Sequence, residues 1–501
     1  MKLFVAIDSF KGSLSSVSAC RIAKRIEKEC FAGNAKVAQP HSPARGEDAE
    51  TQAEELQAED FSAGAAGKFR EKVAAESALS EGVPTAPEAH LPENARTLVV
   101  EAVPVGDGGE GTKRAFTYGQ NVKKKTVAVT GKNGRKKQAC YLGSDGTAYL
   151  EAADCCGISA ENRKDDALLA FTTYGLGELL LAAAADEDVT ELAVGLGGSG
   201  TADGGAGLLA ALGAVYFDAY GRKVGCLPSD LPYVRRCDFT ALSSALRGKK
   251  LTVLCDTEAP LLGENGAVAL FAVQKGATAG GKRFLEEALT GFSACALREV
   301  FRLKTAVLSA ENPAECTKKQ GDVPQKSGTE NENRKSFSGG AVSTVAAGDL
   351  LFPEAGEWAD LAAFGKGTGA AGGLGFALLI VLGGEYKNGL TELFDRRDYA
   401  EKLEGADAVI SGEGWIDATT FTGKAVGKLA ALCKKYRKPL YLVAGGMAPG
   451  TVLPPEVKGV FLLTAHCPNV YECMSRAEEL FAVCLRDTFS AALRNFENPA
   501  V

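Results

Sequence analysis

The segment from Gly195 to Gly207, GLGGSGTADGGAG, constrains the fold of this chain more than any other part of the sequence. It follows a short apolar run and precedes the helix-like stretch GLLAALGA, so it is predicted to connect a strand to a helix. Ordering a glycine costs roughly 1 kcal/mol more than ordering an alanine. A loop this rich in glycine therefore needs a compensating use, and we expect its backbone N–H groups to surround a phosphate at the start of the helix.

Short apolar segments alternate with helical patterns at both ends of the chain. The run Leu3 to Ile7 precedes a helical pattern from Ser15 to about Glu29, and strands and helices alternate again after Gly389. In the middle, short segments separated by the turns GKNGRK and GSDG predict antiparallel strands. This pattern is typical of doubly wound α/β folds. We expect two α/β domains, one from residues 1–120 and 391–501, and a mixed α/β domain inserted between them at residues 121–390.

Two stretches have a composition that disfavours folding. Residues 32–95 are rich in Ala, Glu, Gly, Pro and Gln, and residues 309–354 contain CTKKQGDVPQKSGTENENRKSFSGG. Few large apolar side chains are present to offset the entropy of ordering. We expect both stretches to be disordered insertions that take no part in the chemistry.

Composition excludes several classes of function. The 501 residues are 46% hydrophobic and 24% charged with a net charge of −7, which disfavours binding to nucleic acid or anionic membranes. Only three His occur, which disfavours Ser/His/Asp triads and multi-His metal sites. None of the 14 Cys form a Cys-x-x-Cys motif, so we expect reduced structural thiols. The first apolar run is too short for a signal peptide and no apolar run is long enough to span a membrane, so we expect a cytoplasmic protein.

Five polar, Gly-rich loops follow predicted strands or open predicted helices, where open α/β sheets bind ligands. Together they offer carboxylates, isolated lysines and Gly-rich anion sites. Phosphoryl transfer needs this set of groups as metal ligands, neutralising charges and an acceptor for the hydroxyl proton. The loops begin at Asp8, Asp107, Gly195, Asp256 and Ser411.

Two other interpretations compete with a phosphotransferase. Gly195, Gly197 and Gly200 match the dinucleotide fingerprint, and Asp218 lies at about the right distance to bind a ribose, which would indicate an NAD-dependent dehydrogenase. However, Gly204 and Gly205 fall where the helix of that fingerprint should already run. A non-catalytic scaffold is the second alternative, since the insertions could recruit partners. The P-loop motif G-x-x-x-x-G-K-[ST] does not occur.

Several motifs resemble the bacterial type-one glycerate kinases. They occur in family order and cover most of the chain outside the two insertions: DSFKGSLS, VPVGDGGEGT, TTYGLGEL, GLGGSGTADGGAGLLAALGA, CDTEAPLLGENGAVALFAVQKGA, GTGAAGGLGFAL, ISGEGWIDATTFTGK and KPLYLVAGG. The resemblance implies transfer of phosphate from ATP to glycerate, a requirement for Mg²⁺, and two α/β domains, one of them Rossmann- or flavodoxin-like, with the active site in the cleft. It favours 2-phosphoglycerate over 3-phosphoglycerate as product and leaves a homodimer open.

The roles that we expect within these loops follow from their chemistry. Asp256 ends a buried strand and is our choice for the base that accepts the hydroxyl proton, with Asp203 as the alternative and Lys11 as a catalytic cation. Glu413 and Asp417 are expected to bind Mg²⁺, with Asp107 and Glu110 as competitors. The residues expected to bind glycerate are Asp8, Ser9, Lys11, Ser13, Asn265, Gln274 and Lys275, and those expected to bind the phosphates of ATP are Gly108, Gly109, Thr112, Gly197, Gly198, Ser199, Thr201, Gly204, Gly205, Gly423 and Lys424.

Overall fold

A computed structural model describes residues 1–10, 13–32, 98–242, 244–311, 365–467 and 469–497. Its strands are β1 (Lys2–Ile7), β2 (Val99–Pro104), β3 (Lys123–Thr130), β4 (Lys136–Ser144), β5 (Thr147–Glu151), β6 (Glu191–Gly195), β7 (Val215–Phe217), β8 (Lys223–Val224), β9 (Arg236–Asp238), β10 (Lys250–Cys255), β11 (Glu385–Asn388), β12 (Ala408–Ile416), β13 (Leu440–Met447) and β14 (Val457–Leu462).

The helices are α1 (Ser16–Ala32), α2 (Thr112–Thr117), α3 (Ala152–Cys156), α4 (Tyr174–Ala184), α5 (Ala206–Ala211), α6 (Ala267–Phe271), α7 (Ala279–Glu311), α8 (Ala370–Phe376), α9 (Gly389–Arg396), α10 (Tyr399–Glu404), α11 (Ala425–Tyr436), α12 (Val470–Ser475) and α13 (Ala477–Glu497). A π-helical turn, Ala377–Val381, continues α8. Within the described ranges, no helix combines the length and the apolar character needed to cross a membrane.

The first sheet is parallel and is built from both ends of the chain, in the order β14-β13-β12-β1-β2. Its interior strand β1, between β12 and β2, is an apolar run that is buried on both faces, as parallel sheets covered by helices require. Leu3, Val5 and Ile7 pack with α1 and α13, while Phe4 and Ala6 face α10 and α11. The chain leaves β1 towards β2 on one side and continues from β12 to β14 on the other, so the strand order reverses between β1 and β12.

The second sheet is mixed, in the order β11-β10-β6-β5-β4-β3. The strands β3, β4 and β5 pair antiparallel, as the turns between them predicted, and β5, β6, β10 and β11 are parallel. A small antiparallel sheet, β8-β7-β9, was not predicted because its strands are only two or three residues long. The predicted α/β class is therefore confirmed.

The two large sheets share a hydrophobic core. Tyr149 and Leu254 from the second sheet belong to the same buried cluster as Phe4 from the first sheet. The ring of Phe116 in α2 stacks on Tyr149 with centroids 5.2 Å apart. The first sheet takes its strands from residues 2–104 and 408–462, and the second from residues 123–388. The exact domain boundaries at 120 and 390 stay a prediction.

The two predicted insertions fall almost entirely outside the described residues. Where their ends are described they are helical, because α1 continues to Ala32 and α7 continues to Glu311. The helix predicted to end near Glu29 was therefore too short.

The expectation of reduced thiols was wrong for one pair of cysteines. Cys467 and Cys473 form a disulfide, and their Cα atoms lie 5.8 Å apart, which is the separation that such a bridge requires. The pair is only six residues apart, and the second cysteine lies in the first turn of α12. The other cysteines whose side chains the structure describes, among them Cys155 and Cys156, are in no disulfide, and their redox state stays a prediction.

Gly205 shows what the glycines of the 195–207 segment do for packing. Its φ is +78°, and a Cβ atom there would lie 2.3 Å from the Cβ atom of Ala377. Gly221, in the turn between β7 and β8, has nearly the same φ of +77°, but a Cβ atom there would meet nothing within 4 Å. Comparing Gly205 with Gly221 therefore distinguishes the cost of backbone strain, which both share, from the cost of steric overlap, which only Gly205 has.

We predict that Gly205→Ala lowers the free energy of unfolding by about 3–5 kcal/mol, because both strain and overlap act on a buried backbone. Gly221→Ala should cost only about 1 kcal/mol, because only the strain acts there. Chemical denaturation of the two variants measures the difference, and equal losses would show that the close approach to Ala377 contributes nothing.

Candidate active site

The loops that follow β1 and β12 meet at the carboxyl edge of the first sheet. The backbone N–H of Asp8 donates to the carbonyl of Gly412 at 3.0 Å, which brings Asp8 next to Glu413. Both carboxylates are partly buried. This is the position where the strand order reverses, and open α/β sheets bind ligands in the crevice at such a point.

The loop that follows β2 lies against the strand ends of the second sheet. The N–H of Gly197 donates to the carbonyl of Gly108 at 2.9 Å, and a Cβ atom on Gly108 would lie 2.9 Å from the Cα atom of Cys255. A Cβ atom on Gly389 would lie 2.6 Å from the carbonyl oxygen of Asp107. The carboxyl ends of β2, β6, β10 and β11 therefore meet at one place, which no single sheet could form.

Asp256 stands at this place, immediately after β10, and is exposed to solvent. Burial raises the pKa of the nearby Tyr386 hydroxyl to about 12, and the negative groups of Cys255, Glu258 and Asp256 act in the same direction. Asp256 directly follows Cys255, which pairs in register with Asn388 at the end of β11. Glu258, two residues further on, forms an exposed ion pair with Lys366 at 3.1 Å.

The 195–207 segment has another use besides the one predicted for it. Several of its N–H groups bond within the protein: Gly200 donates to Cys156 O at 2.7 Å and Gly204 donates to Gly372 O at 3.1 Å. Its glycines also allow close contact, since a Cβ atom on Gly197 would lie 2.4 Å from the Cα atom of Gly109. The segment is thus a packing centre between the two sheets, and phosphate binding by Gly198, Ser199 and Thr201 stays a prediction.

Asp203 lies inside this segment and has no exposed surface. Its carboxylate accepts hydrogen bonds from the N–H and hydroxyl of Thr173, at 2.7 and 2.8 Å, and from the N–H groups of Gly205 and Gly207, at 3.1 and 3.2 Å. Burial raises the pKa of Asp203, and these hydrogen bonds oppose the change. These hydrogen bonds show that the Asp203 carboxylate stabilises the conformation of the loop.

Lys275 is buried beneath the same loop rather than exposed to a ligand. Its ammonium donates to the hydroxyl of Ser199 at 3.1 Å and to the carbonyl of Thr201 at 2.8 Å. Burial lowers the pKa of Lys275 to about 8. Lys132, whose pKa burial also lowers to about 8, donates to the carbonyl of Gly157 at 2.8 Å. The two lysines fasten the neighbouring loops and add positive potential beneath them.

The first loop is a tight turn at the start of α1. The hydroxyl of Ser13 donates to the carbonyl of Phe10 at 3.0 Å, and the N–H of Ser9 donates to the Asp8 carboxylate at 2.7 Å. Ser13 also lines a small cavity with Phe10 and Trp415 at the edge of the first sheet. Lys11 lies outside the described residues.

The fifth loop positions two predicted acids and one lysine. Asp417 accepts from the N–H and hydroxyl of Thr419, at 2.8 and 2.6 Å, and the ammonium of Lys424 donates to the same hydroxyl at 2.7 Å. Gly423, with a φ of +93°, turns the chain into α11. Lys424 is exposed, so it can contact a phosphate without losing a buried partner.

The candidate magnesium ligands are carboxylates on two loops. Over the described part of the chain, no group of three or more His, Cys, Asp or Glu side chains is arranged to hold a metal ion. Mg²⁺ bound with nucleotide phosphates needs only one or two carboxylates and keeps several waters, so the donor set fits this ion. In the second loop, one oxygen of Asp107 accepts from the N–H of Gly109 at 2.9 Å, and Glu110 is exposed.

Two predicted substrate residues flank α6. Asn265 and Gln274 are exposed on either side of α6, and the turn before Asn265 is fixed to α7 by a hydrogen bond from the N–H of Gly263 to Glu286 at 2.8 Å. In the second loop, the hydroxyl of the buried Thr112 accepts from the N–H of Gly108 at 2.9 Å, so it supports the loop. A role for these residues in ligand binding stays a prediction.

Sequence reasoning missed Asn388 and Lys428. Asn388 ends β11 and caps α9, because its side chain accepts from the N–H of Thr391 at 3.0 Å. Lys428, in the first turn of α11, donates to the same Asn388 oxygen at 2.9 Å. The pattern Asn-Gly-Leu-Thr is a helix-start motif that could have marked Asn388, but no local pattern indicates its contact with a lysine 40 residues later.

The geometry does not support the dinucleotide alternative. The fingerprint requires the helix to begin at its third glycine, but α5 begins at Ala206, and Gly200 donates its N–H to Cys156 instead. Asp218, the candidate ribose ligand, lies in the exposed turn between β7 and β8, where it bonds to the N–H groups of Tyr220 and Arg222.

Comparisons with known proteins agree with this geometry. Residues 65–314 and 338–492 match the model of the glycerate kinase family. A glycerate 2-kinase from Escherichia coli K12 is 31% identical over 79% of this chain and 90% of its own length. A glycerate kinase from Bacillus subtilis is 31% identical over 77% of this chain and 86% of its own. A crystal structure of glycerate kinase 2 from Salmonella typhimurium LT2 shares the fold, with a TM-score of 0.62, 24% identity and 99% of each chain covered.

Asp203 and Asp218 form a matched pair, since each accepts from the N–H groups two and four residues further on. We predict that Asp203→Asn lowers the free energy of unfolding by about 2–4 kcal/mol, because its NH₂ group faces buried donors. Asp218, in the turn between β7 and β8, is only partly buried and also pairs with the exposed Arg222, so Asp218→Asn should cost under about 1 kcal/mol.

Thermal and chemical unfolding of both variants provide the measurement. A stable Asp203→Asn variant that has lost all catalytic turnover would contradict the structural role and restore Asp203 as a candidate base.

Proposed function

The chain belongs to the glycerate kinase family, and on that premise we propose that it transfers the terminal phosphoryl group of ATP to the 2-hydroxyl of D-glycerate. The observation that carries the proposal is the meeting of two sets of loops. Asp8 and Glu413 lie at the edge of the first sheet, and Asp107, Gly197 and Asp256 lie where that sheet meets the second. Such a site can hold two substrates side by side.

The two sides of the site suit different substrates. The loop at Glu413 and Asp417, with the exposed Lys424, combines hard oxygen ligands and a cation, which suits the phosphates of ATP together with Mg²⁺. Asp256 provides an exposed carboxylate at the end of β10, next to the end of β11, which suits the hydroxyl acceptor. We therefore place ATP towards the first sheet and glycerate towards the second.

Phosphoryl transfer needs no covalent intermediate on the protein, so the side chains mainly position the substrates and stabilise charge. When bound, Mg²⁺ would neutralise charge on the phosphate oxygens, and Glu413 and Asp417 are the residues that would hold it. Asp256 would accept the hydroxyl proton, and an ordinary ionised carboxylate suffices because the proton leaves late in a loose transition state. Asp203 and Lys275 would keep the 195–207 segment in place without touching substrate.

The choice of the 2-hydroxyl rests on similarity. The Escherichia coli relative is named for the 2-position and matches 79% of this chain. Analysis of the product by ³¹P NMR distinguishes 2-phosphoglycerate from 3-phosphoglycerate, and a product that is entirely 3-phosphoglycerate would overturn the regiochemistry while leaving the kinase assignment intact.

Formation of ADP from ATP and Mg²⁺ should depend on D-glycerate, and Asp256→Asn tests the role of the base. We predict a loss of turnover of about a hundredfold or more with the KM for MgATP unchanged, because the amide cannot accept the proton. Glu264→Gln, an exposed acid between β10 and α6, is the control and should keep full activity.

Two results would contradict this assignment. Full turnover in Asp256→Asn would show that Asp256 is not the base and only forms the turn after β10. Preserved turnover with a collapsed affinity for Mg²⁺ would make it a metal ligand instead. Wild-type protein that forms no ADP in response to glycerate would overturn the function itself.

A further inference from the structure

Lys428 lies between the two sets of loops. It belongs to α11, which packs on the first sheet, but its ammonium reaches the end of the second sheet. There it donates to the side-chain oxygen of Asn388 at 2.9 Å and to the hydroxyl of Thr391. A lysine from one sheet is thus held by the strand end of the other.

Its neighbours are the strand ends on which the proposed chemistry depends. Asn388 pairs in register with Cys255, the residue before Asp256. The next residue, Gly389, is so close to the Asp107 backbone that a Cβ atom would lie 2.6 Å from its carbonyl oxygen. Lys428 is therefore linked through Asn388 to the strand end that precedes the proposed base, and the residue after Asn388 contacts the second acidic loop.

The positive charge of Lys428 is not neutralised by a carboxylate in direct contact, among the residues that the structure describes. The side chain is half-buried, and burial lowers its pKa, while a longer-range attraction from Asp395 opposes the change. In the part of the chain that the structure describes, its hydrogen-bond partners are the neutral oxygens of Asn388 and Thr391. Lys366, by contrast, pairs with a carboxylate at 3.1 Å although it is exposed. A desolvated ammonium without a close carboxylate is stabilised when an anion arrives.

We propose that Lys428 is a catalytic residue whose ammonium binds the phosphoryl group as it passes from ATP to glycerate. The inference rests on the proposed function. The group that moves must lie between the nucleotide loops of the first sheet and Asp256 of the second, and Lys428 spans that interval. Asn388 and Thr391 hold the ammonium in place until the phosphoryl oxygens reach it.

The step balances with the groups named. The glycerate hydroxyl oxygen forms a bond to the γ-phosphorus, and the bond from that phosphorus to the β–γ bridging oxygen breaks. ADP leaves with the electron pair, and the hydroxyl proton passes to the Asp256 carboxylate. Lys428 keeps its proton throughout and offsets the charge on the transferred oxygens, a contribution that is strongest in the transition state.

The test compares Lys428→Met with Lys434→Met, an exposed lysine on the same helix. Wild-type protein is assayed first, and an absence of glycerate-dependent ADP there would refute the proposed function rather than this inference. For an active enzyme, we expect Lys428→Met to lower kcat by about a hundredfold or more with both KM values within about threefold. Lys434→Met should match wild type, and Lys428→Arg should restore part of the lost kcat because it restores the charge.

Three results would overturn the inference. One is a kcat within about threefold of wild type, and another is partial loss in Lys428→Met without any gain in Lys428→Arg. The third is a raised KM for D-glycerate at unchanged kcat, which would make Lys428 a binder of the substrate carboxylate. Should Lys428→Met fail to fold, Lys428→Gln takes its place under the same criteria, since it keeps a hydrogen-bond donor for Asn388 without the charge.

Discussion

The rest of this structure depends on a close backbone contact between two glycines, one from each large sheet. Gly108, at the end of the first sheet, accepts a hydrogen bond from Gly197 of the second sheet at 2.9 Å and lies directly against Cys255. Residues with a Cβ atom would hold these strand ends further apart. Because the approach is close, Asp107 and Asp256 come from different sheets yet face one site. The division of labour that we propose between nucleotide and acceptor loops depends on this contact.

A buried polar network keeps the contact in one geometry. Asp203 gathers N–H groups of the glycine-rich segment, and Lys275 holds the same segment from below. Each is an ionisable group removed from water, which is costly unless hydrogen bonds compensate. Placing charge beneath the loop rather than in the open site gives rigidity without occupying the space that substrates need. Preorganisation of this kind is a large part of how enzymes stabilise transferred phosphate.

The sequence predicted the strands more reliably than the site. Short apolar runs such as Leu251 to Cys255 are predicted as buried strands from their composition and length alone. The loops at their ends were recognisable from their glycines and acidic residues. For the 195–207 segment, the sequence predicted phosphate binding but not the close packing of its glycines. Glycine is used for both purposes, and composition does not distinguish them. Asn388 and Lys428 were missed because their contact joins two distant segments, and β7 to β9 were missed because short strands carry no periodicity.

The most direct test compares two glycines of one loop, Gly108 and Gly111. Both have positive φ, +103° and +91°, but a Cβ atom at Gly108 would lie 2.9 Å from the Cα atom of Cys255, whereas one at Gly111 would meet nothing within 4 Å. Measured as kcat/KM for D-glycerate in variants shown to be folded, Gly108→Ala should lose at least about a hundredfold and Gly111→Ala less than about tenfold. Equal rates in the two variants would contradict a site built on the close approach of the two sheets.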